Sequence, residues 1–179
     1  MIPLELDNPF WQFSLRVYGT PGVAEECLKV QDEIDADVNV LLYAAWLGAT
    51  RGIVLEEADL LLIEQAISPW SASVVKPLRG VRRTMKSMPD AADSQVQALR
   101  KQVAATELLS EQIEQAFLFR MADGVGRPGS ATARGNVYAA LGRYGAAATA
   151  FPLRKFLGAS EAAIGLDIAR DPSNGKSNP

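Results

Sequence analysis

The stretch that decides the fold runs from Asp37 to Gly52, DVNVLLYAAWLGATRG. It opens on an acid suited to a helix N-cap, with Asp35 as an alternative cap, and closes on Arg51-Gly52, a basic last turn followed by a stop. Between them the apolar side chains wrap most of the helical circumference. A helix apolar on nearly every side must be surrounded, so the segment reads as the central helix of a domain. Its apolar run, Val40 to Ala49, is about half the roughly 18 residues a membrane span needs.

Upstream, Asn8-Pro9 is a cap followed by proline in the first turn, with Gly19 as the stop. Thr20-Pro21 repeats the device and predicts a second helix to about Ile34, with Cys27, Val30 and Ile34 on its dry side. Downstream, Glu56 to Ile67 predicts a fourth helix, acidic in its first turn. Ser68-Pro69 predicts the start of a fifth, running to about Met88 and kinked at Pro77. A long helix follows from Asp93 to Met121, with Val96, Leu99, Val103, Thr106, Ile113 and Phe117 as its repeating positions. Asp123 to Ser130 is a loop, helix resumes near Thr132, and a short helix is expected from Ser160. The expectation is an all-α fold: a single compact domain of six to eight helices. Residues 1–145 form its core, 146–170 a helical extension packed on it, and 171–179 a disordered tail.

Among 179 residues there is no histidine and one cysteine, Cys27. This excludes Ser-His-Asp and Cys-His catalysis, His-ligated metals, an internal disulfide and thiolate clusters. The charge is polarised. Residues 1–64 hold 12 acids against 3 bases, and residues 65–179 hold 9 acids against 15 bases. The two halves either attract one another or present a polarised surface to a charged partner. The first ten residues show no basic and apolar leader pattern, so a soluble cytoplasmic chain is expected.

Lys76, Arg79, Arg83 and Lys86 recur at intervals of three, four and three, with Arg82 beside them and no acid between residues 71 and 89. Such a stripe either docks on the acidic half of its own chain or binds an anionic partner. The cluster Asp32-Glu33-Ile34-Asp35-Ala36-Asp37 is the candidate metal site, since Asp32 and Asp35 would share a helix face and could hold Mg²⁺. The plainer reading makes Asp35 and Asp37 caps. The acids before an apolar helix partly resemble the all-α nucleoside triphosphate pyrophosphohydrolases. Ile34 stands where that pattern wants Glu, however, and Glu25-Glu26 has no Glu three or four residues on. Trp11, Trp46 and Trp70 read as core anchors, and Asn39 needs a buried partner or an edge position.

Three segments together resemble a family of short, chiefly proteobacterial proteins defined by a domain of unknown function: NPFWQFSLRVYGTPGV, DVNVLLYAAWLG and SPWSASVVKPLRGVRRTMK. The resemblance spans roughly residues 8–145 and implies one soluble, mainly helical domain, with no activity, cofactor or site residue to transfer.

The leading expectation is a non-enzymatic adaptor whose basic helix face, Lys76, Arg79, Arg82, Arg83 and Lys86, binds a protein with an acidic surface. A second is a Mg²⁺-dependent phosphohydrolase using Asp32, Asp35 and Asp37, with Arg79 and Arg83 steadying phosphate. A third is a carrier of a small apolar ligand built around Tyr43 and Trp46. No cofactor, no nucleic acid and no membrane span are expected.

Overall fold

A computed structural model describes residues 3–168. The described residues form eight α-helices, α1 (Pro9–Tyr18), α2 (Val23–Ile34), α3 (Val38–Arg51), α4 (Glu57–Trp70), α5 (Lys76–Ser87), α6 (Ser94–Met121), α7 (Ala133–Gly142) and α8 (Arg154–Ile168). One antiparallel pair of two-residue strands, β1 (Ile53–Val54) and β2 (Arg127–Pro128), is the sheet content. The domain is all-α. The expected tail, 171–179, lies outside the described residues.

Local chemistry starts the helices where it should. Asn8 Oδ1 accepts from the Trp11 amide at 2.9 Å, with Pro9 in the first turn of α1. Asp37 Oδ1 accepts from the Asn39 amide at 3.0 Å to open α3, and Gly52, at φ 62°, closes it. Asp93 caps α6 through the amides of Gln95 and Val96. The second helix departs from expectation. Its cap is Gly22, at φ 83°, and the Thr20 hydroxyl turns back to donate to the Arg16 carbonyl. A left-handed corner between two nearly contiguous helices suits glycine better than threonine.

Asn39 to Gly48 of α3 are all buried, as a helix apolar on every side requires. Phe10, Tyr43, Trp46 and Phe119 interlock around it with ring centres 5.3–5.9 Å apart. Helix α7 lies close along α3. A side chain at Gly48 would meet the Thr132 carbonyl oxygen at 2.5 Å, so only glycine permits this approach. Asn136, buried on α7, donates to the carbonyls of Ala44 and Ile53 and accepts from the Leu55 amide. Ala148, Leu153, Phe156, Leu157 and Ala163 belong to the same buried cluster as α3. The last helix begins at Arg154 rather than Ser160, because Glu26 on α2 accepts from the amides of Lys155 and Phe156 and caps it there.

Ser68-Pro69 does not start a helix. Pro69 lies inside α4, which continues through one π-helical turn, Ser71–Val75, into α5 with Pro77 in its first turn. Each proline removes one backbone hydrogen bond, and the wider turn between them absorbs the change without breaking the rod. Helix α6 also differs from expectation. Its 28 residues span about 42 Å, but its buried positions are Glu107, Ser110, Glu114, Gln115, Ala116 and Leu118. Leu99, expected on the dry stripe, is 53% exposed.

Candidate functional site

The basic stripe on α5 is largely neutralised within the chain. Lys76 pairs with Asp35 at 2.6 Å and Arg83 pairs with Asp32. Arg79 bonds Glu107 at 3.3 Å and Glu111 at 2.6 Å, both on α6, and Arg82 also bonds Glu107. Lys86 takes part in no ion pair among the described residues. The absence of local acids therefore does not leave Lys76, Arg79, Arg82 and Arg83 free, because α6 and the end of α2 bring carboxylates to them from elsewhere in the sequence. The Arg79 side chain is 17% exposed and that of Glu107 only 7%. Such a pair is costly to break, since the partner left behind is a poorly hydrated charge. The outer pairs, Lys76–Asp35 and Arg83–Asp32, are well hydrated and contribute little.

The same contacts account for the acidic cluster. Asp32 and Asp35 each hold a base of α5, and Asp35 ends α2 in the left-handed region at φ 53°. Asp37 is the cap of α3 and accepts from the Ser71 hydroxyl at 2.9 Å, while its amide donates to the Tyr144 hydroxyl. These carboxylates do not converge. Among the described residues, no group of three or more His, Cys, Asp or Glu side chains is arranged to hold a metal ion.

A polar network beneath the stripe supplies the buried partners that Asn39 requires. Asn39 Nδ2 donates to Glu114 Oε1 at 3.1 Å, and Gln115 Nε2 donates to Asn39 Oδ1 at 2.8 Å. Glu114 is fully buried and takes part in no ion pair among the described residues. Burial first, then the negative charge of Asp37, pushes its carboxyl up to about 9, so it is neutral at physiological pH. Its Oε2 has no hydrogen-bond partner. Glu111 is shifted upward too, chiefly by burial and against the pull of Arg79. Cys27 is inert packing: burial pushes its thiol up to about 12. The spacing of Glu107, Glu111 and Glu114, four then three, marks one helix face and is the sequence signal that could have found this network.

Above the network lies a cavity of about 160 Å³. Trp11, Leu15, Tyr18, Val38, Leu42 and Leu108 form its walls, and Ser14, Gln31, Asn39, Arg79, Glu111 and Gln115 supply its polar side. Gln115 is 2% exposed, and its Oε1 has no hydrogen-bond partner. Tyr43 and Trp46 line neither this cavity nor the larger groove of about 300 Å³ beside Asp37, Ser71 and Tyr144. Both are buried in the ring cluster, with the Arg51 guanidinium 5.7 Å from the Trp46 ring centre. A ligand pocket built around them is filled by side chains.

The outer parts of α5 and α6 form an antiparallel arm. From Lys76 to Thr106 one residue, Met85, is buried. The arm holds seven bases against two acids, Asp90 and Asp93. Arg82, Gln97, Arg100, Lys101 and Ala104 line an open groove of about 440 Å³ on it. Like Lys86, Arg100 and Lys101 take part in no ion pair among the described residues. Val81, Met88 and Leu99 stand about half exposed between them.

Fold and surface together define an all-α domain built on one central helix and carrying a basic two-helix arm. The chain belongs to DUF2390, a family of proteins of unknown function, whose profile matches residues 9–118, from α1 to within α6. No curated protein and no solved structure gives a significant match. No helix of the described residues is long and apolar enough to cross a membrane.

Proposed function

We propose that the protein is a non-enzymatic interaction module whose basic arm docks on a protein with an acidic surface. The observation that carries this reading is the arm itself: 31 residues with one buried side chain, with Lys86, Arg100 and Lys101 outside any ion pair among the described residues and half-exposed apolar residues among them. A helical hairpin with so little core of its own needs some other use for its surface. Charged residues there would steer an acidic partner, and Val81, Met88 and Leu99 would supply the apolar contact. Within the originally expected stripe, Lys86 remains available. Lys76, Arg79, Arg82 and Arg83 hold the arm to its base, and Arg100 and Lys101 join Lys86 as the contact residues. The proposed compartment is the bacterial cytoplasm, supported by the resemblance.

The test is a photo-crosslinking residue in place of Leu99, activated in cells. A discrete protein adduct is expected, lost when Lys86, Arg100 and Lys101 are all replaced by Glu, and weakened in vitro by added salt. No adduct, an adduct indifferent to the triple replacement, or a trapped nucleic acid would overturn the proposal.

A further inference from the structure

We propose that the cavity bounded by α1, α3 and α6 is a binding site for a small organic ammonium ion whose apolar body is about the size of one aromatic ring. Its volume, about 160 Å³, is close to that of an apolar protein cavity known to admit benzene, about 150 Å³. The walls are apolar and partly aromatic, with Trp11 and Tyr18 available to the face of a ring or to a cation. Leu15 and Leu108, each about half exposed, form an accessible rim.

The polar side selects a donor. Gln115 Oε1 is a buried acceptor without a partner, and the rest of that amide is fixed by its bond to Asn39. A buried carbonyl oxygen left unbonded is costly, so a donor arriving from the cavity recovers that loss. Glu111 reaches the same cavity and binds Arg79 through Oε1, which leaves Oε2 for a second donor. Both groups accept, and neither can donate to a ligand from those atoms. Arg79 is the cation nearby, but its Nε and Nη2 are held by Glu107 and Glu111. Glu107 and Glu111 balance Arg79 and Arg82, while Asp37 adds a negative field that acts on Glu111. An ammonium group satisfies both acceptors and matches that field; a carboxylate or phosphate would satisfy neither.

The test uses benzylammonium and its uncharged counterpart toluene, with binding to the wild-type chain followed by calorimetry and by the NMR shift of the Trp11 indole N–H. Benzylammonium is expected to bind in the micromolar to millimolar range open to a fragment of this size, and to move the Trp11 signal. Toluene should bind about tenfold more weakly or worse, and E111Q should lower benzylammonium affinity by a similar factor, the loss of one charge-assisted bond. V38F, which fills the cavity, should abolish binding of both. Equal binding of toluene, no movement of the Trp11 signal at millimolar benzylammonium, or unchanged affinity in folded E111Q would overturn the proposal. The comparison of the two ligands uses only the wild-type chain, so it decides even if a variant fails to fold.

Discussion

Glu26, on α2, caps α8 from across the domain: its Oε2 accepts from the Phe156 amide at 2.9 Å while Oε1 accepts from the Lys155 amide at 3.1 Å. The start of a helix is thus satisfied by a side chain about 130 residues earlier in the chain. Helix α8 carries Phe156 and Leu157 into the core, so this cap joins the two ends of the described fold.

Removing that cap should be felt globally. Glu26→Ala is expected to lower stability by about 1–2 kcal/mol, the range for a lost N-cap acceptor with its favourable charge at the helix start. Glu26→Gln, which keeps one acceptor but no charge, should cost less. Urea unfolding of the two variants checks the order.

Arg79 and the arm's outer bases should separate cleanly. Arg79→Glu places a third acid beside Glu107 and Glu111 and should destabilise by about 3–5 kcal/mol, as expected when a largely buried pair is broken. Replacing Lys86, Arg100 and Lys101 together by Glu should change stability by no more than about 0.5 kcal/mol, because no native contact is lost. Parallel thermal melts distinguish the outcomes. A large loss in the triple variant would mean that the arm's surface is structural.

Glu114 should give the fold an unusual pH dependence. Its folded-state value near 9 lies above the ordinary value of 4.5, so the native state holds a proton that the unfolded chain releases. The stability this contributes is complete below about pH 4.5 and is lost progressively as pH rises towards 9. Glu114→Gln keeps an acceptor for Asn39 but cannot ionise. It should flatten the profile and be more stable than the wild type at pH 8. Melts between pH 5 and pH 9 provide the measurement, and a wild-type profile as flat as the variant's would refute it.

Trp46 is 3% exposed and touches the rings of Phe10, Tyr43 and Phe119. Trp46→Ala is therefore expected to cost about 3–5 kcal/mol, the range for a large aromatic deletion in a core. Denaturant titration checks it, and a loss under about 1 kcal/mol would contradict the packing described.

The features legible in the sequence are those set within a few residues. Asn8, Asp37 and Asp93 cap helices whose amides lie two or three positions on, so local reading finds them. The all-round apolar character of α3 likewise predicts its burial. Ser68-Pro69 misleads because the π turn that accommodates it lies just beyond, and no residue type announces such a turn. The basic stripe looks uncompensated because its partners are distant: Arg79 meets carboxylates 28 and 32 residues away. Glu114 is visible in a face shared with Glu107 and Glu111. That it loses its charge depends on its burial and on the nearby negative charge of Asp37, which are facts of the fold alone.

Helix α7 has a consequence for the chain's relatives. The family match ends at residue 118, yet the flank of α3 is closed by α7 at a contact so tight that a side chain at Gly48 would meet the Thr132 carbonyl. A relative that stopped at the corresponding point would leave one side of its central helix open to water. In this chain the flank is completed only by residues beyond the matched region, so the matched region by itself leaves part of the core of α3 uncovered.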